Sequence, residues 1–468
     1  MTAASWGPPT YCLKCGKFSK LKGLLWALFS TLPNASGHGS TPSVQRDALE
    51  QVALVATENI QMPGVPLGSD ELVANFVEGK LMSGTVKVMA KLAAFEDPQV
   101  AMYLLRISYG IVRANHFMRT TPLPQWKDIA NKFDLCVRET VSKIIGTTFP
   151  DDSYRQACIS TKIGGLGVRK VEEHAPAAFT ASWHEASQTC GEKWTAPDSC
   201  LPVNQPQSAA SAEIDRSTLE SLISRANQRD VQRLRRLDVD HANAWISAMP
   251  TYVDGKDTVM SPRVYLTCLL GLPLCKQTLD IFGDHALCCK KNGDMITRHN
   301  RVRNLIFEIA DMGLLSPELE KLGILGVTDR SSRRPGDVSF KSWAPNRGLA
   351  IDVAVICPLA AAHLKEEEPC EDYAVQHKHA RYDASFKDSN YDFVPVVFET
   401  SGAVNTEGLA VLKQIFRYAS KRSGKGHASF CGRVWARLAC CIQISAAQMI
   451  LNRDFVEPVP DLANDLIS

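Results

Sequence analysis

The chain has little that would place it in a membrane or in an oxidising compartment. No stretch approaches the roughly 20 apolar residues of a membrane helix, and the apolar run at 23–32 (GLLWALFSTL) is too short to span a bilayer. The fifteen cysteines are odd in number and scattered, which favours a reducing compartment over a disulfide scaffold. We therefore expect a soluble intracellular protein that is not secreted and has no membrane partner.

A strong net charge is also missing. The 468 residues carry a formal net charge of +2, with 45% hydrophobic and 22% charged residues, which is ordinary for a globular protein of two to four domains. Whole-chain charge therefore does not indicate a nucleic-acid binder. Two local basic segments, 290–303 and 331–337, could still attract a polyanion, or they could be solvated faces.

The pattern of residues divides the chain into segments of different character. Helical periodicity is clearest at 101–119 and 133–146. A stretch rich in Ser, Pro, Gln and Ala at 186–215 is typical of a linker. The predicted organisation is a poorly ordered arm (1–45), a helical region (46–185), a linker and helix (186–260), a Cys/His segment (261–297), an α/β core (298–420) and a C-terminal helical segment (421–468).

The core region predicts an α/β fold with a small mixed sheet. Its elements alternate in the order helix, strand, strand, helix, strand, helix. The predicted bounds are 298–313, 336–341, 348–356, 370–387, 393–399 and 405–420. The fold class expected is thus multidomain, with an α-helical N-terminal region followed by an α/β domain.

Two aspartates on the paired strands carry the most chemical information. Asp337 lies in RRPGDVSF and Asp352 in GLAIDVAVI. Adjacent strands lie about 4.8 Å apart, so the two carboxylates could share a divalent cation such as Mg²⁺. An isolated carboxylate is more often a surface acid, but one inside LAIDVAVI would be costly to bury without a partner.

Three further side chains are candidates for catalytic roles. Lys378 could orient or deprotonate a water, and Tyr382 lies four positions later, on the same face of a helix. Glu399 closes an apolar strand and could be a further metal or water contact.

A Cys/His cluster precedes the core and could hold Zn²⁺. Its spacing departs from that of a zinc finger, because the first two cysteines are not a CxxC pair and the last two are adjacent. The alternative is that these side chains are buried packing. The candidate ligands are Cys268, Cys275, His285, Cys288 and Cys289.

Taken in order, these motifs resemble a known group of nucleases. LGLPLC, FGDHALCC, RHN, RRPGDV, LAIDVAV, HKHARY and FVPVVFETSG are similar to the restriction-like endonuclease region of site-specific non-LTR retrotransposons, of the PD-(D/E)XK superfamily. LLRISYGIVRANHFMRTTPLP and QACISTKIGGLGVRK resemble the thumb and post-polymerase segment of the same elements. The resemblance covers about 70 to 450, discontinuously. The aspartate pair of a polymerase palm does not occur, so polymerase activity is not expected.

The resemblance implies roles for particular residues. The Pro-Asp motif corresponds to Pro335 and Asp337 with Gly336 inserted, and the second acid to Asp352. The usual lysine after that acid is replaced by Ala354, and the resemblance implies that Lys378 supplies it from the following helix. Asp337 and Asp352 would then hold Mg²⁺ or Mn²⁺. The residues expected to contact nucleic-acid phosphates are Arg298, His299 and Arg334.

The function expected is a metal-dependent DNA endonuclease, a remnant of a retrotransposon, with an upstream helical region that binds nucleic acid. Its partners would be DNA and element RNA, and its location nuclear or cytoplasmic. The first alternative is a catalytically inactive nucleic-acid-binding protein derived from the same source. The second is a zinc-structured module for protein interaction, which predicts stoichiometric zinc and no affinity for DNA.

Overall fold

The described residues form two compact units that alternate along the sequence. In a computed structural model, the structure describes residues 60–62, 64–190, 200–201, 205–248, 283–284, 286–288, 293–325 and 334–452. Unit 1 takes the residues up to 94, 105–140 and 168–217, whereas unit 2 takes 95–104, 141–167 and those from 218 onward.

The described part before residue 248 is helical apart from one short hairpin, as predicted. Short π and 3₁₀ segments interrupt it at Leu105–Tyr109, Ile111–Arg113, Leu123–Trp126 and Thr161–Ile163. The regular elements are β1 (Ile60–Met62), β2 (Val65–Leu67), α1 (Asp70–Ala93), α2 (Pro98–Leu104), α3 (Asn115–Thr120), α4 (Lys127–Ile145), α5 (Asp151–Cys158), α6 (Val171–Cys190), α7 (Gln207–Arg225) and α8 (Gln228–Leu237).

Two stretches of this region differ from the sequence expectation. The periodic pattern at 101–119 does not form one helix, because the chain bends at Gly110, whose N–H donates to the carbonyl of Leu105 at 2.6 Å. A Cβ atom at Gly110 would lie 2.9 Å from that carbonyl oxygen, so the bend needs glycine. The stretch expected as a linker is helical at both of its ends, where α6 and α7 extend into it.

Buried polar groups organise unit 1. The carboxylate of Asp134 accepts hydrogen bonds from the N–H groups of Val171 (2.8 Å) and Glu172 (3.0 Å), and so caps the start of α6. Burial raises the pKa of Asp134 to about 6, although these two donors lower it. The ring of buried His174 contacts Ser211 at 3.2 Å. Burial, with Arg169 nearby, lowers the pKa of His174 to about 4, so this ring is neutral at physiological pH.

Unit 2 contains the predicted small mixed sheet. The sheet order is β3-β4-β5-β6; β3, β4 and β5 are antiparallel neighbours, and β5 and β6 are parallel. The short edge strand β3 was not predicted. The elements are α9 (Asp294–Met312), β3 (Pro317–Leu319), β4 (Val338–Ala344), β5 (Arg347–Ile356), α10 (Pro369–Tyr373), a π segment (Ala374–His379), α11 (Ala380–Phe386), β6 (Tyr391–Glu399), α12 (Thr406–Ser423) and α13 (His427–Leu451).

Helices cover both faces of this sheet, which explains why β5 reads as a nearly continuous apolar run. Side chains on a strand alternate between faces. Leu349, Ile351, Val353 and Val355 pack with α9, α12 and α13 in the larger core cluster. The intervening positions of β5 face α10, the π segment and α11, where Ala354 packs with Cys370 and Ala374.

One helix of the described residues, α13, is long and apolar enough to cross a membrane by length and composition alone. The sequence had not been expected to contain one. Of its most apolar 18-residue window, 67% is buried inside the structure, and a core helix of a soluble protein passes the same test. Its side chains Phe430, Trp435 and Leu438 belong to the larger core cluster.

Candidate active site

The strand register brings the two predicted aspartates together. Val338 pairs with Ile351 in the antiparallel ladder of β4 and β5, and the N–H of Asp337 donates to the carbonyl of Ile351 at 2.8 Å. One position further along, Asp337 lies across from Asp352. Directly opposed residues of an antiparallel pair point to the same face of the sheet. The two carboxylates therefore meet on the face covered by the π segment.

Backbone packing holds Asp337 at this position. The N–H of Val353 donates to its Oδ2 at 2.6 Å, and its own carbonyl accepts from the N–H of Glu320 at 3.0 Å. A Cβ atom at the preceding Gly336 would lie 3.0 Å from the Cβ of Ala350. The extra glycine thus has a packing reason, because it lets the chain before Asp337 approach β5 closely.

Each aspartate also has a basic partner from a different element. Lys378, in the π segment, donates from Nζ to Oδ2 of Asp352 at 2.7 Å. His299, in the second turn of α9, lies with Nε2 at 3.0 Å from Oδ1 of Asp337. Single turns of π-helix are frequent at functional sites. The site thus consists of two opposed carboxylates, one ammonium and one imidazole.

Burial and mutual repulsion separate the two carboxylates electrostatically. Burial raises the pKa of Asp352 to about 7; the Lys378 ammonium lowers it and the Asp337 carboxylate raises it. Burial would also raise the pKa of Asp337, but hydrogen bonds from His299, Asp352 and the Val353 N–H, with the charge of His299, hold it below its usual range. Near neutral pH, Asp337 is ionised while Asp352 is poised between its two protonation states.

The pKa of Lys378 moves in the direction of a retained charge. Burial lowers the pKa of this amine. The adjacent Asp352 carboxylate raises it by a larger amount, so the net pKa lies above the usual value. Its side chain is 16% exposed, and that of Asp352 is 12% exposed. Lys378 is therefore an ammonium at neutral pH and a hydrogen-bond donor, not a ready proton acceptor.

The carboxylate pair fits a hard divalent cation. Mg²⁺ takes oxygen ligands and is usually held by one or two protein carboxylates while it keeps several waters. Repulsion between the two carboxylates contributes to the raised pKa of Asp352, and a bound divalent cation would offset that repulsion. Within the described ranges, no group of three or more His, Cys, Asp or Glu side chains is arranged to hold a metal. Two carboxylates suit Mg²⁺ or Mn²⁺ better than a closed zinc site.

Two of the residues expected to contact phosphate lie in quite different surroundings. Arg334, three residues before Asp337, is exposed. It donates from Nη1 to Oε2 of Glu320 at 2.8 Å. Arg298 is only 1% exposed and donates from Nη2 to the carbonyl of Val355 at 3.0 Å. The phosphate contact predicted for Arg298 is wrong for this structure, because its guanidinium lies inside unit 2.

The structure does not bring Glu399 to the aspartate pair. Asp352 pairs with Pro395 in the parallel ladder, whereas Glu399 pairs with Ile356, four positions further along both strands. Glu399 is fully buried, and Arg236 contacts both of its carboxylate oxygens, at 2.6 Å and 3.0 Å. Sγ of Cys370 and Oγ of Ser401 donate to it as well, each at 2.9 Å.

Tyr382 follows Lys378 by one helical turn, but its ring packs into an apolar cluster. Its centroid lies 5.2 Å from that of Phe393, and Phe386 and Ile324 belong to the same cluster. Among the described residues, no hydrogen bond joins Tyr382 to either aspartate.

Most of the Cys/His cluster lies outside the described residues. This applies to Cys268, Cys275, His285 and Cys289. Cys288 is described; it packs near Cys357 and Met449, and Cys357 is fully buried with a raised pKa owing to Cys288 and to burial. Zinc binding by this cluster stays a prediction.

Sequence reasoning missed two contacts of these sites. It assigned His299 to a phosphate contact, whereas the ring pairs with Asp337. It did not single out Arg236, which lies 163 positions before its partner Glu399. The hint available was that Arg236 falls on the same side of α8 as Arg233 and Leu237, all of them buried.

A scan against protein-family models gives no match, and a search of the curated proteins gives no significant match. The resemblance to retrotransposon endonucleases is therefore carried by this chain's residues alone.

Proposed function

We propose that unit 2 is a metal-dependent endonuclease that hydrolyses phosphodiester bonds in DNA. The observation that carries the proposal is the placement of Asp337 across from Asp352, with Nζ of Lys378 2.7 Å from the second carboxylate. Two oxygen ligands can hold a divalent cation, and an adjacent ammonium can stabilise charge that develops on a phosphate; metal-assisted phosphodiester hydrolysis uses both effects. The sequence resemblance to restriction-like nucleases points to the same reaction.

Asp337 and Asp352 would hold Mg²⁺ or Mn²⁺, which when bound polarises a phosphoryl oxygen and lowers the pKa of a coordinated water. Lys378 is an ammonium beside Asp352, so its role is to orient the attacking water and to stabilise negative charge that develops on the phosphate. His299 holds Oδ1 of Asp337 in place.

The basic side chains near Asp337 suit a polyanionic substrate. Arg303 lies one turn after His299 on α9, and its guanidinium contacts Glu320 at 2.5 Å. Glu320 also pairs with Arg334. The two guanidiniums outnumber the single carboxylate between them, which leaves net positive charge for backbone phosphates.

Plasmid cleavage tests the proposal. Purified protein is incubated with supercoiled DNA and Mg²⁺, and nicked and linear products are quantified with and without EDTA. We expect cleavage by the wild type, and none by Asp337→Ala or Asp352→Asn. Asp311→Ala, which removes an exposed carboxylate on the same helix as His299, is the matched control and should cut normally. Equal cutting by Asp337→Ala and wild type would refute the assignment.

A second candidate is a nucleic-acid-binding protein that no longer cleaves. One observation favours it: His299 and Lys378 already pair with the two carboxylates, so the four side chains are mutually satisfied without a cation. Salt-dependent DNA binding by the wild type, with no cleavage in Mg²⁺ or Mn²⁺, would support this candidate over the nuclease.

A further inference from the structure

Unit 2 contains a cavity that takes no part in the proposed active site. Its volume is about 580 Å³, within the range typical of small-molecule pockets. It lies among α12, α13 and the turns that follow α8. The residues that matter for its chemistry are His241, Lys413, Phe416, Arg417, His427 and Trp435.

Two aromatic rings form a stacked wall of this cavity. The rings of His241 and Trp435 are parallel within 8°, with centroids 4.2 Å apart. Phe416 meets Trp435 edge-on at 5.0 Å, which anchors the indole in the core. Burial lowers the pKa of His241, with Asp240 opposing and Lys413 adding to the effect, so the imidazole is neutral at pH 7. A neutral planar wall of this kind suits a stacked base.

Two cations also line the cavity. Lys413 and Arg417 are one turn apart on α12, and both are exposed. Neither forms an ion pair with any residue that the structure describes. The described residues that line the cavity include no Asp or Glu. The cations thus have no counter-charge there, and an apolar ligand would leave them unmatched, whereas phosphate groups would not.

We propose that this cavity binds single-stranded nucleic acid, with a base against the wall of His241 and Trp435 and the backbone phosphates on Lys413 and Arg417. The choice of nucleic acid rests on the proposed function, since the substrate of the proposed nuclease is a nucleic acid. The combination of an aromatic wall and unpaired cations is the one used by proteins that bind single strands without sequence preference.

Gly432 offers a position from which a larger side chain can enter the cavity. Gly432 lines the cavity within α13, and a Cβ added there meets no atom within 4 Å. Gly432→Leu should therefore occupy the cavity while favouring the helix. The matched control is Gly79→Leu, at an exposed glycine within α1 that also has open space around its Cβ.

The charge variants also have a matched control. Lys413→Gln and Arg417→Gln remove the two cations of the cavity. Lys421→Gln and Arg422→Gln remove the two cations in the last turn of the same helix, which do not line the cavity. His241→Gly removes the outer ring of the wall; glycine suits the φ of +69° at this position.

The experiment measures the anisotropy of a fluorescein-labelled decathymidylate with the full chain in EDTA, so that no cleavage occurs. We expect Gly432→Leu and His241→Gly each to weaken binding by about tenfold or more, the loss of one stacked base. Each Gln variant of the cavity should lower the slope of log Kd against log salt by about 0.7. The control variants should bind as the wild type does. A decamer of abasic phosphates should bind more weakly than decathymidylate, and free thymidylate more weakly still.

Several results would overturn the proposal: no binding of decathymidylate by the wild type, equal binding by the cavity and control variants, or equal binding of the abasic decamer. Thermal unfolding of each variant verifies folding. The nuclease proposal fails separately. If Asp352→Asn still cuts plasmid while the cavity variants lose the decamer, only the nuclease assignment falls; if Asp352→Asn is inactive while the cavity variants bind normally, only the cavity assignment falls.

Discussion

Two carboxylates on neighbouring strands of unit 2 have similar cationic partners but differ in whether a second carboxylate faces them. Asp352 on β5 pairs with Lys378 at 2.7 Å, and Glu399 on β6 pairs with Arg236 at 2.6 Å. Glu399 has a donor at each oxygen, and among the described residues no hydrogen bond joins it to a second carboxylate, which is typical of a structural ion pair. Asp352 faces a second carboxylate, and its pKa is raised to about 7. A second acid beside the first thus distinguishes the candidate active site from the structural ion pair.

The largest effect is expected at the structural pair. Arg236→Met leaves a fully buried carboxylate without its cation, and removing one partner of a buried pair costs about 3–5 kcal/mol. Urea unfolding at pH 7 measures the loss. The double variant Arg236→Met with Glu399→Met removes both charges and should recover most of the stability. A single variant as stable as the wild type would show that Cys370 and Ser401 suffice to hold the charge.

The next largest effect is the pH dependence of stability that arises from Asp337 and Asp352. The folded pKa of Asp352, about 7, lies above the unfolded value, so the native state binds more protons between roughly pH 4 and 7. Stability should therefore be highest at the acid end of this window and fall by about 2–4 kcal/mol as pH rises through it. The lowered pKa of Asp337 acts in the opposite sense, losing stability as pH falls through its folded pKa below about 4.

Asp352→Asn should remove most of the loss between pH 4.5 and 8, because the amide cannot ionise and can still donate to Asp337. Urea unfolding across this range compares the variant with the wild type, and Asp311→Ala serves as the control. Parallel pH profiles for wild type and Asp352→Asn would show that another group is responsible.

The sequence predicted the pair of aspartates with Lys378 near it, but not the partners His299 and Arg236. Strand alternation and a turn-rich connection were enough to place Asp337 beside Asp352, because that pairing follows from local periodicity and hairpin register. The order of helices and strands in the core was predicted for the same reason; the small mixed sheet is confirmed, but its edge strand β3 was not predicted. Helical periodicity at 101–119 predicted helical structure but not the bend at Gly110, because the bend depends on what a Cβ atom there would meet.

Periodicity within a segment does not show which side chains from distant segments pair with each other. Lys378 was named from its place in the following helix, and the geometry places it on Asp352. Glu399 was predicted as a third carboxylate of the active site because it also ends an apolar strand. In the structure Arg236, from α8, donates to it instead. Arg298 and His299 are adjacent in sequence, yet helical rotation sends one inward and the other to Asp337.

Under the proposed function, Mg²⁺ should stabilise only the protein that keeps both Asp337 and Asp352. A ligand that binds the native state raises the free energy of unfolding by about 2.7 kcal/mol at a concentration one hundred times its Kd. We expect this for the wild type at pH 8, where Asp352 is mostly ionised, and no increase for Asp352→Asn. The double Met variant at Arg236 and Glu399 should respond as the wild type does. Thermal unfolding against Mg²⁺ concentration, with equal ionic strength from NaCl as control, measures it.

The smallest effect is expected at Tyr382, which the sequence grouped with the catalytic side chains. Its ring packs 5.2 Å from that of Phe393, on the same face of the sheet as Asp352 but within an apolar cluster. Tyr382→Phe keeps that packing and should change stability by less than about 0.5 kcal/mol, with plasmid cleavage close to that of the wild type. Tyr382→Ala should destabilise unit 2 through the lost packing. Loss of cleavage in Tyr382→Phe at unchanged stability would instead place its hydroxyl in the reaction, and the site would then extend from the aspartate pair toward α11.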